Sequence, residues 1–278
     1  MSSTPQDGQV ARAVILAAGR GTRMRRPAPG VPLDDAQRRM ADLGLKGLVP
    51  FHGHPYLSYV IAALADAGIR EVCLVVPPGE HPIRAHYQAL ATERVRIAFA
   101  VQDRPLGSAH ALLAAERFAA GEPFIVINSD NLYPPSAVAA LHGIDGSGLA
   151  AFRRERLVAG GNIPAERVAA YALVTADAEG CLDEIVEKPT PDAVRRLEGC
   201  AWVSMTLWRF GPSIFEACRA IRPSARGELE LPDAVAWATR VRGERFRLVP
   251  VDDAVLDLSC REDVPGIAER LEGVAVRL

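Results

Sequence analysis

Lysine is almost absent from this chain. Of its 32 basic residues, only Lys46 and Lys188 are lysine and the others are arginine. A sequence that uses arginine for nearly every cation is expected to keep lysine where a planar guanidinium does not fit. The compact ammonium of lysine suits a single phosphate oxygen in a narrow space. Both lysines are therefore candidate functional residues.

Other shortages restrict the class of protein. No apolar stretch approaches the roughly 20 residues that span a bilayer. The net charge of −2 lacks the basic excess that favours non-specific binding to nucleic acid or to an anionic membrane. Residues 1–10 are polar and carry no secretory signal pattern, so we expect a disordered lead there. We expect no nucleic-acid or membrane partner.

Cysteine is scarce, and the positions of the cysteines suggest no pairing between them. The five cysteines are odd in number, widely spaced and contain no C-x-x-C motif. This pattern favours reduced thiols over disulfides or a zinc site. We therefore expect a cytoplasmic protein.

The first half of the chain alternates short apolar runs with helical patterns. Such an order predicts βαβ units and a mostly parallel sheet, whose carboxyl-terminal strand ends lie along one edge. Strands are predicted at 11–18, 72–76, 95–101 and 124–128, and helices at 56–67, 81–91 and 108–118.

The second half predicts a different arrangement. Strands are expected at 171–175, 182–186, 202–210, 246–251 and 255–258, and helices at 212–220, 230–239 and 261–271. We therefore predict a Rossmann-like three-layer α/β/α fold with a mixed, mostly parallel sheet and a β-rich second half. Residues 11–278 form one domain in this interpretation, divided into halves 11–135 and 136–278. Residues 25–45, with three prolines and an amphipathic stretch at 34–43, resemble an inserted lid.

A glycine-rich turn directly follows the first predicted strand, in Val14-Ile-Leu-Ala-Ala-Gly-Arg-Gly-Thr-Arg-Met24. Glycines let backbone N–H groups approach a polyphosphate, and Arg23 can neutralise it. The P-loop pattern is excluded because the turn contains no lysine. The dinucleotide pattern is excluded because Met24 stands where a third glycine is needed.

Several motifs, in order, resemble those of sugar-1-phosphate nucleotidyltransferases. The resemblance covers roughly residues 11–272 and implies a GT-A-like nucleotidyltransferase fold. It rests on G-x-G-T-R-M at 19–24, Lys46 before Leu-Val-Pro50, Gln102-Asp-Arg-Pro-Leu-Gly-Ser-Ala109, Asn128-Ser-Asp-Asn131, Glu187-Lys-Pro189 and Val255-Leu-Asp-Leu-Ser259.

The resemblance implies a reaction and a set of roles. A sugar-1-phosphate oxygen would attack the α-phosphorus of a nucleoside triphosphate in line, releasing pyrophosphate. Arg23 and Lys46 would be catalytic, and Asp130 and Asp257 would bind Mg²⁺. The nucleotide would contact Leu16, Ala17, Ala18, Gly19, Gly21, Thr22, Gln102, Gly107 and Ser108. The sugar phosphate would contact Asn131, Tyr171, Glu187, Lys188 and Ser204. Relatives of this family are often oligomers, which makes a homo-oligomer an expectation by analogy.

The sequence departs from the family pattern at three places. Residues 25–45 separate Arg23 and Lys46 more widely than usual. Tyr171 is followed by alanine rather than glycine, and Ser204-Met-Thr206 replaces N-A-G. These departures leave open an uncommon sugar or a cyclitol phosphate as the acceptor.

The nucleobase and the reaction class also leave alternatives. Gln102 offers a donor and an acceptor, which complement uracil or thymine and favour UTP or dTTP without excluding ATP. A cytidylyl-, adenylyl- or guanylyltransferase for a cyclitol or non-sugar alcohol phosphate is one alternative. A non-catalytic sensor of nucleotide sugars is another, and a dehydrogenase is a more distant one. Among the six histidines only His110, which follows the base-contacting segment, is a candidate for the site.

Overall fold

The apolar runs of the sequence assemble into a nine-stranded mixed sheet in the computed structural model, which describes residues 10–169, 171–197 and 199–278. Residues 1–9, within the predicted disordered lead, lie outside the described residues. In the first half the elements are β1 (Arg12–Leu16), α1 (Asp35–Leu43), a 3-10 helix (Lys46–Leu48), β2 (Pro50–Phe51), β3 (His54–Pro55), α2 (Tyr56–Asp66), β4 (Glu71–Val76), α3 (Pro82–Gln88), β5 (Arg96–Val101), α4 (Ser108–Leu113), α5 (Glu116–Ala119), β6 (Phe124–Asn128) and β7 (Asn131–Leu132).

The second half adds the antiparallel part of the sheet. Its elements are α6 (Pro135–His142), β8 (Ser147–Phe152), α7 (Arg154–Gly160), α8 (Ala165–Val168), β9 (Ala172–Ala176), β10 (Leu182–Val186), α9 (Pro191–Arg196), β11 (Trp202–Phe210), α10 (Ile214–Ala220), α11 (Leu231–Trp237), a π-helical turn (Ala238–Arg242), β12 (Phe246–Val251), β13 (Leu256–Asp257) and α12 (Asp263–Arg270).

The sheet is parallel at one side and mixed at the other. Its strands follow the order β10-β9-β11-β6-β1-β4-β5, and β8 and β12 extend it from the second edge of β11. β10 and β11 alone run against the other strands. The prediction of a mixed, mostly parallel sheet is confirmed.

Helices cover both faces of the sheet, as alternation along β1 shows. Ala13 and Ile15 pack into one buried cluster, which contains α2, while Val14 packs into a second, which contains α4 and α10. Successive side chains of a strand point to opposite faces, so one apolar run serves both clusters. This is the predicted three-layer arrangement. Among the described residues, no helix combines the length and the apolarity needed to cross a membrane.

Helices α6 to α9 were not predicted from the sequence. Three further details also differ from the predictions. The helix expected at 108–118 is divided into α4 and α5, because Ala114 and Ala115 make the shorter i→i−3 hydrogen bonds of a tightened turn. The helix expected at 230–239 ends in the π-helical turn. β8 was not predicted: its Gly and Ala residues have low strand propensity, but pairing with β11 and β12 on both edges places it inside the sheet.

Candidate active site

A cleft of about 790 Å³ lies at the carboxyl-terminal ends of the parallel strands. Open α/β sheets bind ligands at this edge, because loops leave neighbouring strands there in different directions. Every residue predicted to bind the nucleotide lines the cleft, together with Arg23, Lys46 and Asp130. The nucleotide residues are Leu16, Ala17, Ala18, Gly19, Gly21, Thr22, Gln102, Gly107 and Ser108. Their proposed contacts with a ligand remain predictions.

The glycine-rich turn has its shape because it packs against the end of α1. Gly21 adopts a left-handed conformation with φ of 60°, and a Cβ at this position would lie 2.1 Å from the carbonyl oxygen of Gly44. Only glycine permits both the conformation and the approach. Met24 is buried beneath the turn, whereas Arg23 is exposed along the cleft.

Residues 25–45 are tied to this turn rather than separate from it. Asp34 caps α1 through the backbone N–H of Gln37, and Gly44 ends the helix in a left-handed conformation. The buried Arg261 donates to the carbonyl oxygen of Met24 at 2.9 Å and to Asp42 Oδ1 at 2.5 Å. The segment is therefore anchored to the turn, and its last residues, Gly44 and Leu45, line the cleft directly before Lys46.

Lys46 and Asp130 form an ion pair on the floor of the cleft. Lys46 Nζ lies 2.7 Å from Asp130 Oδ2, and the two side chains are only 16% and 22% exposed. Asp130 reaches this position because it follows the buried strand β6, while Lys46 begins the 3-10 helix after α1. A charge-assisted hydrogen bond in partial shelter from water fixes both groups.

Asp257 lies beside Asp130 because of a short antiparallel ladder. β7 pairs with β13 so that Asn131 lies opposite Asp257, and the N–H of Leu258 donates to the carbonyl oxygen of Asp130. Asp257 itself is 2% exposed and does not line the cleft. The two aspartates thus come from distant parts of the sequence and occupy adjacent backbone positions.

Neighbouring side chains hold the Asp257 carboxylate. The hydroxyl of Tyr171 donates to Oδ2 at 2.6 Å, while Ser259 and Asn131 donate to Oδ1. The Asn162 side chain accepts from the N–H of Asp257 and donates to its carbonyl oxygen, both at 2.8 Å. Tyr171 and Asn131, predicted to contact the sugar phosphate, therefore position this aspartate in the structure.

The two carboxylates raise the question of a cation. Burial raises the pKa of Asp257 to about 6, and the neighbouring charge of Asp130 adds to the rise. A divalent cation would relieve this cost, and Mg²⁺ is commonly held by one or two carboxylates plus substrate phosphates. Within the described part of the chain, no three His, Cys, Asp or Glu side chains gather around one metal position. The donor set fits a cation shared with a phosphate substrate.

Gln102 follows β5 directly and lines both the cleft and a smaller recess beside it. Its Nε2 donates to the carbonyl oxygen of Gly107 at 3.0 Å and lies 3.2 Å from His110 Nδ1. Gly107 has φ of 107°, and a Cβ there would lie 2.5 Å from the carbonyl oxygen of Leu229. Backbone hydrogen bonds from Ala109 to Leu229 and from Leu229 to Leu106 close this contact. The Ser108 hydroxyl joins the same contact by accepting from the N–H of Leu231.

This contact brings residues into the cleft that the sequence did not indicate. Arg226, Gly227 and Glu228 line it, in an irregular segment between α10 and α11. Arg226 adds a cation to the cleft and is paired with Glu230. The only signal in the sequence was a polar stretch between two helical patterns, which does not distinguish a functional loop from a simple connection.

The remaining predicted sugar-phosphate residues lie outside the cleft described above. Ser204 is buried in β11, between Ala151 and Ala172 of the adjacent strands. Glu187 and Lys188 follow β10 and are exposed, and Lys188 has an unusual φ of 46°. Although Glu187 as a whole is exposed, partial burial of its carboxyl group raises the pKa of that group, and the like charge of Glu230 adds to the rise. Strain at a non-glycine residue often accompanies a functional position.

The fold and the cleft are those of an α/β protein with a glycine-rich turn at the ends of its parallel strands. Residues 12–248 match the family model described as nucleotidyl transferase. The chain belongs to this family, which confirms the family predicted from its motifs.

Curated relatives and solved structures agree with this placement. A glucose-1-phosphate thymidylyltransferase of Actinoplanes sp. is 33% identical over 234 residues, 80% of this chain and 65% of the relative. The UTP–glucose-1-phosphate uridylyltransferase AglF of Haloferax volcanii is 28% identical over 265 residues, 94% of this chain and 96% of the relative. The chain thus spans less than two thirds of the first relative and nearly all of the second.

A crystal structure of UDP-glucose pyrophosphorylase complexed with UDP-glucose superposes with a TM-score of 0.70 at 18% identity, covering 95% of this chain and 98% of that one. At this identity the likeness concerns the fold, and it supports the predicted nucleotidyltransferase fold class.

Proposed function

We propose that this protein joins a nucleoside triphosphate to a sugar-1-phosphate and releases pyrophosphate. A phosphate oxygen of the sugar-1-phosphate forms a bond to the α-phosphorus, and the bond between that phosphorus and the bridging oxygen to the β-phosphate breaks. The nucleotide sugar and pyrophosphate are the products. Attack is direct, so no covalent intermediate with the protein is needed.

The observation that carries the proposal is the convergence at the cleft floor. The glycine-rich turn, Lys46 and Asp130 meet there, and Asp257 lies directly behind Asp130. Reaction between two anions requires positioning and neutralisation more than acid–base chemistry. A floor that combines a lysine with one carboxylate, with a second carboxylate directly behind it and a glycine-rich turn beside it, meets this requirement.

The motifs suggest a role for each of these cations, including Lys188, which lies outside the cleft described above. Exposed Arg23, on the turn, would bind the β- and γ-phosphates that leave as pyrophosphate. Lys46 would leave Asp130 and contact the α-phosphate as negative charge develops. Lys188 would bind the phosphate of the incoming sugar, and Glu187 would accept hydrogen bonds from sugar hydroxyls. Arg226, which also lines the cleft, supplies further positive charge.

Mg²⁺ is the cofactor that we propose for Asp130 and Asp257. When bound, it would neutralise phosphate charge and hold the triphosphate in place. Tyr171, Ser259 and Asn131 would keep the Asp257 carboxylate oriented toward it.

The substrates that we favour are UTP or dTTP and a hexose-1-phosphate such as glucose-1-phosphate. The base preference rests on Gln102, and the sugar on the names of the two curated relatives. We also propose that residues 25–45 act as a wall that limits access, because they pack on the glycine-rich turn and line a side recess of about 210 Å³ next to Gln102. None of the five cysteines, all within the described residues, forms a disulfide, which supports our proposal that the protein is cytoplasmic.

The test is pyrophosphate release, with Mg²⁺, across a grid of nucleoside triphosphates and sugar-1-phosphates. We expect release from a UTP or dTTP pair with a hexose-1-phosphate, and a loss of at least about 100-fold in Asp130→Asn. Asp66→Asn is the matched control, because Asp66 is an exposed aspartate paired with Arg94. If pyrophosphate is released only with a cyclitol phosphate, the acceptor is a cyclitol phosphate and not a sugar-1-phosphate. A grid without release, from folded protein, would contradict the proposal.

A further inference from the structure

The amide of Gln102 is held in one orientation by two neighbours. Its Nε2 donates to the carbonyl oxygen of Gly107, which also accepts the first hydrogen bond of α4 from Ala111. A carbonyl oxygen can only accept, so the nitrogen and not the oxygen of the amide must face Gly107. The assignment of the two amide atoms therefore follows from the hydrogen bonding.

His110 accounts for the second amide hydrogen. Its Nδ1 lies 3.2 Å from Gln102 Nε2, and a nitrogen that carries two hydrogens can only donate across this distance. His110 Nδ1 is therefore the acceptor in this contact. Its place in the first turns of α4, one turn beyond Gly107, fixes its distance from Gln102.

Gln102 Oε1 is then the group that remains for a ligand. No donor among the described residues reaches it, and it is absent from the buried polar atoms that have no partner there. Gln102 lines both the main cleft and its side recess. The oxygen is thus accessible from the space that the nucleobase would occupy.

We propose that His110 is a positioning residue: it holds the Gln102 amide so that Oε1, a hydrogen-bond acceptor, faces the base. This arrangement favours a pyrimidine that presents a ring N–H. This inference rests on the proposed function. Uracil and thymine carry a hydrogen on N3, whereas cytosine has a lone pair there that would face the oxygen of Gln102. His110 selects the base by fixing the amide, and it does not touch the base itself.

The test compares two substitutions of His110: one keeps a hydrogen-bond acceptor at the position of Nδ1, and the other removes it. In His110→Asn the side-chain oxygen takes the position of Nδ1 and still accepts from Gln102, whereas His110→Leu places a methyl group there. Direct binding of UTP, dTTP and CTP is measured by calorimetry for the wild-type protein and both variants. Thermal unfolding is recorded alongside to compare their stabilities.

We expect His110→Leu to reduce the preference for UTP and dTTP over CTP by about fivefold, the factor contributed by one ordinary hydrogen bond. His110→Asn should keep the wild-type preference, and the KM for the sugar phosphate should change in neither variant. A structural role alone would not separate the two variants by base.

Three results would overturn the inference. If the Leu variant keeps the preference, or if the Asn variant loses it equally, His110 does not position Gln102. If the wild-type protein binds none of the three nucleotides, the proposed function fails and the inference fails with it. The wild-type measurement thus distinguishes the two failures.

Discussion

Lys46 and Asp130 show why one residue type was kept where arginine serves elsewhere. The Lys46 ammonium is mostly enclosed, and its single nitrogen lies 2.7 Å from the carboxylate of Asp130. A guanidinium presents several donors as a rigid planar fork, whereas this contact uses a single ammonium nitrogen. One of the two lysines that the sequence singled out therefore lies in a half-sheltered ion pair at the cleft.

At the same scale, Asp257 is expected to lower stability in exchange for function. Its pKa is raised to about 6 by burial and by Asp130, so the folded state binds this proton more tightly than the unfolded chain does. Stability from this group is fully present below the usual aspartate pKa and is lost as pH rises through about 6. We predict that Asp257→Asn stabilises the metal-free protein at pH 7 by about 2 kcal/mol while abolishing pyrophosphate release.

Chemical denaturation from about pH 4 to 7.5, without metal, measures this effect, because the loss falls between the ordinary aspartate pKa and about 6. Wild-type protein should lose stability relative to Asp257→Asn as pH rises, and Mg²⁺ should stabilise the wild type more than the variant. Asp66→Asn, at an exposed ion pair, should follow the wild-type curve. Equal pH dependence in wild type and Asp257→Asn would show that burial of this carboxylate is not costly.

At the scale of elements, the glycine-rich turn and the end of α1 are fitted to each other. Gly21 and Gly44 each adopt a positive φ, and each would collide with the other's segment if it carried a Cβ. Residues 25–45 are therefore part of the structure of the turn, although they interrupt the motif in sequence. Arg261 adds a third element to the same contact.

Two glycines of the turn provide a matched pair of substitutions. Gly21→Ala requires a strained conformation and places a Cβ 2.1 Å from Gly44, so we predict a loss of about 2 kcal/mol or more in the free energy of unfolding. Gly19→Ala meets no described atom within 4 Å and should change stability by less than about 0.5 kcal/mol. Urea denaturation measures both. Equal losses would mean that the contact with Gly44 does not shape the turn.

At the scale of the whole molecule, the sheet explains how distant residues converge. The parallel strands bring the glycine-rich turn, Gln102 and Asp130 to one edge, and the β7–β13 ladder adds Asp257. Apolar runs separated by helical patterns predicted this arrangement, because strands that are buried on both faces of a parallel sheet are apolar along most of their length. The order of the motifs along the chain indicated which residues meet at this edge.

Other parts could not be predicted because tertiary contacts decide them. β8 is a strand through pairing on both edges, despite residues that do not favour strands. Arg226 enters the cleft because Leu229 pairs with the segment before α4, which no local pattern indicates. Asn162 and Ser259 hold Asp257 through contacts that depend on the β7–β13 ladder and on its neighbours.

The reverse reaction tests the central claim most directly. Wild-type protein is incubated with Mg²⁺, pyrophosphate and UDP-glucose or dTDP-glucose, and the products are followed by phosphorus NMR. A cleft that performs nucleotidyl transfer should form UTP or dTTP together with glucose-1-phosphate. Binding of the nucleotide sugar, without any nucleoside triphosphate formed from any pair, would contradict the account and indicate a protein that binds nucleotide sugars without turnover.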